Sequence, residues 1–167
     1  MYDFVIMLLF DETTTTRIQA MKDKLYRQGV SSREKPWPPH VTVDLYQEIS
    51  ITDLLEAVDS FIDSFSAFSV SFSNLACFGN RVLYLKPEPH PSFKLIKEQA
   101  DKRLGAYIIE NNRKRQVYIP HITLAINNDI TTAKRLIEPD FQPFSGRISC
   151  LAVYSRRMVL QEKYQLV

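Results

Sequence analysis

Two short segments constrain this chain more than any other feature. KPWPPHVTVDLY, from Lys35 to Tyr46, and VYIPHITLAINN, from Val117 to Asn128, each place a histidine and a threonine two positions apart behind a proline. The chain has 167 residues and three histidines, so two of the three stand in matching frames about half a chain length apart. On a strand, residues two apart share a face and neighbours alternate. His40 and Thr42 therefore point one way while Val41 and Val43 point the other. His121 and Thr123 pair in the same manner, with Ile122 and Leu124 behind them. The apolar residues anchor each strand, so the polar ones are not the core-facing set. The preceding proline favours an extended approach to each histidine.

The surrounding pattern also says the same thing twice. A strand over Asp3–Phe10 leads into a helix in which Ile18, Met21 and Leu25 recur at helical spacing and Gly29 supplies the stop. The run Thr13–Thr16 opens that helix. It lacks the glycines and lysine of a nucleotide-binding loop. After strand His40–Tyr46, Ser50 with Asp53 caps a helix bearing Leu54, Leu55, Val58, Phe61 and Ile62. Alternation returns over Ala67–Phe78. Beyond the turn at Gly79 and Asn80 the order repeats. Strand Val82–Lys86 precedes a helix that starts with Pro91, carries Phe93, Ile96, Ala100 and Leu104, and ends at Gly105. Strand His121–Ile126, a short helix around Thr132–Ile137 and a strand over Phe144–Tyr154 come next, and Met158–Leu166 adds a closing strand. The pair Phe68-Ser69 with Leu75-Ala76 is echoed by Phe144-Ser145 with Leu151-Ala152. An α+β fold is expected: a bilobal, duplicated strand-helix-strand-helix-strand unit with a central cleft between two antiparallel-rich sheets. It forms one domain over 1–167, with pseudo-repeats at about 1–78 and 79–167.

Composition is that of an ordinary globular chain, 45% hydrophobic and 24% charged, which argues against disorder. A net charge of +2 neither demands nor excludes nucleic acid, since a local patch can act where the sum does not. The apolar opening FVIMLLF is too short to cross a bilayer and lacks the flanks of a secretory signal, so a cytoplasmic protein without a membrane partner is expected. Cys77 and Cys150 read as two buried thiols in strands. The histidines have no zinc-type spacing, and neither metal nor cofactor is expected.

A histidine and a threonine about 7 Å apart on one strand face suit an anion with several acceptor oxygens. The hydroxyl donates to one oxygen and the imidazole exchanges a proton with another. The paired motifs HVTV and HITL resemble the 2H phosphoesterase superfamily, which includes 2′-5′ RNA ligase-like proteins and 2′,3′-cyclic nucleotide phosphodiesterases. The resemblance spans essentially the whole chain. It implies a cleft between two lobes, with His40 and His121 as the catalytic pair and Thr42 and Thr123 as donors to phosphate oxygens. The implied partner is a nucleotide or RNA terminus bearing a cyclic phosphate, handled without metal by hydrolysis or by the reverse 2′-5′ ligation. A non-catalytic RNA or nucleotide binder on the same scaffold is the alternative. Nothing in the motifs speaks to oligomeric state, and a monomer is expected.

Two loops precede the motifs and can form a rim. Ser31–Pro39 carries Arg33, Lys35 and Trp37, and Glu110–Pro120 carries Arg113, Lys114, Arg115 and Tyr118. The basic residues can clamp phosphates or simply face solvent. Trp37 and Tyr118 can stack on a base, or lock their loops against the sheet, which is the role favoured for Trp37. Arg115 and Tyr118, nearest His121, are the better ligand contacts, with Lys35, Arg113 and Trp37 as further substrate-binding candidates. His90, outside any such frame, is assigned no catalytic role.

Overall fold

The sequence periodicities become seven strands and five helices in a computed structural model that describes residues 1–31, 37–115 and 117–167. In chain order they are β1 Phe4–Phe10, α1 Glu12–Arg27, β2 His40–Tyr46, α2 Ile51–Ile62, β3 Phe68–Phe78, β4 Val82–Pro87, α3 Pro91–Leu104, α4 Glu110–Arg113, β5 Ile122–Ile126, α5 Ile130–Ile137, β6 Phe144–Ser155 and β7 Leu160–Gln165.

The helix ends reflect local chemistry. Asp11 caps α1 by accepting from Thr14 N at 2.9 Å, and Gly29, at φ +70°, takes the left-handed turn that stops it. Ser50 caps α2 by accepting from Asp53 N at 3.1 Å. Pro91 opens α3 behind His90, whose ring Nδ1 accepts from Ser92 N at 3.2 Å while the ring stacks on Phe68. Gly105 behaves differently from Gly29. It stays right-handed at φ −56°, and the chain continues through a 3-10 turn, Gly105–Tyr107, into α4. Glycine permits the left-handed stop but does not impose it.

All strand pairs are antiparallel, in the order β2-β1-β6-β3-β4-β5, with β7 on β6. The two long strands β3 and β6 pair only over Phe68–Phe72 and Phe144–Ile148. Beyond that seam β3 runs on beside β4, and β6 runs on between β1 and β7. The two expected sheets are thus halves of one hydrogen-bonded path. The order reads the same when β1, β2 and β3 are exchanged for β4, β5 and β6. Helix α3 packs on β2 and α1 on β5, so the helix after the first strand of each half covers the histidine strand of the other.

One apolar core runs through both halves on the helix side. It includes Leu8, Ile18, Val41, Val58, Leu85, Ile96 and Ile122, each fully buried and each contributing about 1.5–3 kcal/mol by leaving water. A smaller cluster of Val5, Met7, Leu9, Cys150 and Ala152 lies on the other face of β1 and β6, with Trp37 and Tyr154 packed against it. Cys150 is buried as expected, but Cys77 on β3 is only half-buried. Among the described residues no helix is long and apolar enough to cross a membrane.

Candidate active site

Strands β2 and β5 stand at opposite ends of the strand order, yet the curl of the two half-sheets brings them near each other. Their local plans match residue by residue. Val41 and Val43 are buried, as are Ile122 and Leu124, while His40, Thr42, His121 and Thr123 are half-exposed. Alternation breaks immediately after each threonine. In β2 the register passes from Thr42 opposite Met7 to Asp44 opposite Ile6, leaving Val43 as the extra residue. In β5 it passes from Thr123 opposite Tyr84 to Ala125 opposite Leu83, leaving Leu124 as the extra one. Such bulges re-aim the side chains beside them.

The rings are also fixed alike. His40 Nδ1 lies 2.6 Å from Pro38 O, and His121 Nδ1 lies 2.7 Å from Ile119 O. A carbonyl oxygen only accepts, so Nδ1 carries the proton in both rings and Nε2 is the basic nitrogen of each neutral imidazole. The two environments differ beyond that. Phe78 and Tyr84 meet His121 edge-on, at 4.9 and 5.5 Å between ring centres. Burial pushes the His121 pKa below its ordinary value, the bond to Ile119 opposes this, and the nearby Arg115 charge adds to the lowering. Trp37 meets His40 edge-on at 6.4 Å and Tyr154 at 5.6 Å, and its carbonyl accepts from the buried Lys22 Nζ at 2.5 Å.

The chain that leads to His121 is stitched antiparallel along the outer side of β2. Gln47 N donates to Tyr107 O at 2.8 Å and Ile109 N to Leu45 O at 3.1 Å. Asn112 Nδ2 donates to Asp44 Oδ1 at 2.7 Å, and Tyr118 OH donates to Thr42 O at 3.0 Å. Burial and the carboxylates of Asp44 and Asp101 raise the Tyr118 pKa, so its hydroxyl stays a donor. Asp44 is itself buried, with Oδ2 3.0 Å from Lys97 Nζ, and Lys97 also pairs with Asp101. The approach to the second histidine is thereby registered to the strand of the first.

An open cavity of about 1540 Å³ lies between Thr42 on β2 and the segment that carries His121 and Thr123. Thr42, Arg115, Tyr118, His121 and Thr123 line it together, so five of the residues singled out from sequence share one space. His40, Trp37 and Arg113 are not among its lining residues. Arg113 turns back to its own loop, donating to Ala106 O at 2.7 Å and Ile108 O at 3.0 Å. Lys114 pairs with Glu110 at 2.6 Å. Arg33 and Lys35 lie outside the described residues. Sequence reasoning missed Asp44, Lys86, Lys97 and Asn112, all of which line the cavity. An acidic residue inside the apolar run HVTVDLY is a signal for Asp44, and Lys86 stands two places after Tyr84 on a strand. The other two carry no mark in the chain. Among the described residues no group of three or more histidine, cysteine, aspartate or glutamate side chains is placed to hold a metal ion.

An α+β fold of two splayed antiparallel half-sheets, each edged by a His-x-Thr strand with the same tautomer and the same bulge, defines a narrow class of protein. The model of the 2′-5′ RNA ligase superfamily matches residues 10–158, and the chain belongs to that superfamily, the 2H phosphoesterases. Sequence comparison with curated proteins gives no match. Among solved structures, TT0787 of Thermus thermophilus aligns with a TM-score of 0.70 at 17% identity, covering 98% of this chain and 97% of that one. E. coli LigT complexed with 3′-AMP aligns with a TM-score of 0.70 at 13% identity, covering 99% and 98%. The MHV ns2 PDE domain gives 0.59 at 16% identity, covering 93% and 99%. At these identities the likeness is one of fold.

Proposed function

We propose that the protein is a metal-independent phosphoesterase acting on ribose 2′,3′-cyclic phosphates of nucleotides or RNA ends, with His40 and His121 as its general acid–base pair. The observation that carries this reading is the identity of plan in the two His-x-Thr strands: the same burial, the same bulge and the same Nδ1 bond to a carbonyl two residues back. In hydrolysis water attacks phosphorus while a ribose oxygen leaves from the opposite side. One imidazole Nε2 takes the water proton and the other ring, protonated, delivers one to the leaving oxygen. Each role is worth about 10²–10⁴-fold. The Thr42 and Thr123 hydroxyls donate to the non-bridging oxygens. With the 5′-hydroxyl of an RNA end attacking phosphorus in place of water, the bond to the ribose 3′ oxygen breaks, that oxygen takes the proton, and the same pair leaves a 2′-5′ linkage.

Arg115 and Tyr118 meet the substrate from the cavity wall, whereas Trp37 and Arg113 act by holding their loops, as the packing of the former and the carbonyl bonds of the latter support. We read the chain as one domain of two pseudo-repeats, 1–78 and 79–167, which the symmetric strand order supports. A nucleotide-sized ligand fits the fold neighbour LigT, solved complexed with 3′-AMP.

The test is incubation in EDTA with nucleoside 2′,3′-cyclic phosphates and short RNAs ending in cyclic phosphate, with product isomers resolved. Turnover with chelator present is expected, and His40→Ala and His121→Ala are each expected to lower it at least about a hundredfold. Either variant remaining within about threefold of wild type, far short of the loss expected for an acid–base group, would refute the two-histidine mechanism. Binding of the RNA without turnover would favour the non-catalytic reading.

A further inference from the structure

The two halves agree in backbone and tautomer but not in what stands beside each histidine. Register places Leu9 across from His40 in β1 and β2. In the other half the register ends with Tyr84–Thr123 and Leu85–Ile122, and carried one residue further it sets Lys86 across from His121, the position that Leu9 holds opposite His40. Lys86 lies two residues from Tyr84, whose ring touches His121, so alternation turns it to the same face. Leu9 is buried under Trp37 and Tyr154, while Lys86 is exposed and lines the cavity.

Other cations of the cavity are engaged. Lys97 is held by Asp44 and Asp101, and Lys94 sits 3.6 Å from Glu98. Lys86 and Arg115 have no carboxylate within ion-pair distance among the described residues, although Glu88 shares the cavity wall. Arg115 is near enough to His121 for its charge to act on the ring. Among the described residues, two cations without counter-ions therefore flank one histidine of a pair, and an apolar aromatic wall flanks the other.

We propose that Lys86 and Arg115 form an anion subsite on the His121 side of the cleft that takes a second phosphate of the substrate. This rests on the phosphoesterase reading and narrows it: the substrate carries a phosphate besides the one at the histidines, as a 5′-phosphorylated nucleotide or an RNA end does. Charge-assisted bonds from a lysine and a planar guanidinium suit a phosphate dianion or diester.

The experiment is calorimetric titration of the full chain with adenosine 3′-monophosphate and adenosine 3′,5′-bisphosphate. Wild type is expected to bind the bisphosphate about tenfold more tightly, with a preference that shrinks as salt rises. Lys86→Gln and Arg115→Gln should bring the ratio of affinities below about threefold, Lys86→Arg should retain it, and Lys163→Gln on β7 should leave it as in wild type. A wild-type ratio near one, absence of binding by both ligands, or a Lys86→Gln variant that keeps the preference would overturn the subsite. Turnover of adenosine 2′,3′-cyclic phosphate reports separately on the enzymatic reading. Turnover with no bisphosphate preference sinks the subsite alone, and preference without turnover sinks the enzymatic reading alone.

Discussion

Replacing Lys97 by methionine removes the cation from a buried carboxylate without changing side-chain bulk much. Lys97 Nζ lies 3.0 Å from Asp44 Oδ2, and the two side chains are 16% and 5% exposed. At an effective dielectric of about 20 the gross attraction at that distance is about 5 kcal/mol. Desolvation of the ammonium offsets part of it, and loss of one partner of a buried pair typically costs about 3–5 kcal/mol. Asp44 Oδ1 keeps its bonds from Leu45 N at 2.8 Å and Asn112 Nδ2 at 2.7 Å, which moves the figure to the lower end. Asp101, the other partner of Lys97, is 41% exposed and can be solvated. A loss of about 3 kcal/mol is expected, a large share of the roughly 5–15 kcal/mol that holds a typical domain together. In urea denaturation the midpoint should fall by about 1–3 M with little change in slope. Combining it with Asp44→Asn, which removes the stranded charge and still accepts from Asn112, should recover at least half of the loss. A single-variant cost under about 1 kcal/mol, or a double variant as costly as the two singles added, would refute the reasoning.

Other expectations concern separate parts of the molecule. The Tyr46 hydroxyl is fully buried with no hydrogen-bond partner among the described residues, so Tyr46→Phe should be neutral or stabilise by about 1 kcal/mol; a clear loss in thermal or urea unfolding would contradict this. A Cβ on Gly146 would stand 2.7 Å from Thr14 Oγ1 and closer still to its methyl carbon, so Gly146→Ala should cost about 1–3 kcal/mol, and adding Thr14→Ser should relieve part of it in urea unfolding. His121 is held below its ordinary pKa chiefly by burial, so the unfolded chain takes up its proton first. This contribution to stability is intact above a pH of about 6.5 and is lost as pH falls toward the lower folded value. The difference in urea midpoint between pH of about 7.5 and about 5.5 should shrink in His121→Gln, and an unchanged difference would show that the ring is not desolvated in this way.

Much of the fold is legible in local patterns, because caps and periodicity act over a few residues. Ser50, Pro91 and the alternation from Phe68 mark their elements within a residue or two. Gly29 and Gly105 look equivalent as stop signals and are not, since the segment after Gly105 is drawn onto the edge of β2 by bonds to Leu45, Asp44 and Thr42. The bulges at Val43 and Leu124 are invisible to alternation: strict alternation would put Asp44 on the face of Thr42, and the bulge turns it into the buried side instead.

The chain by itself determined which residues share the polar face of the two motif strands: two histidines and two threonines, whose apolar neighbours turn inward. That rests on a period of two and needs no knowledge of distant contacts. Tertiary structure decided which of the nearby charged groups reach the cleft. Arg113 and Lys114 stand in the most basic run of the chain and are taken up by their own loop, while Lys86 and Arg115 face the cavity with no counter-ion among the described residues. Long polar side chains are directed by whatever carbonyl or carboxylate comes within reach, and that is settled only when strands remote in sequence are brought side by side.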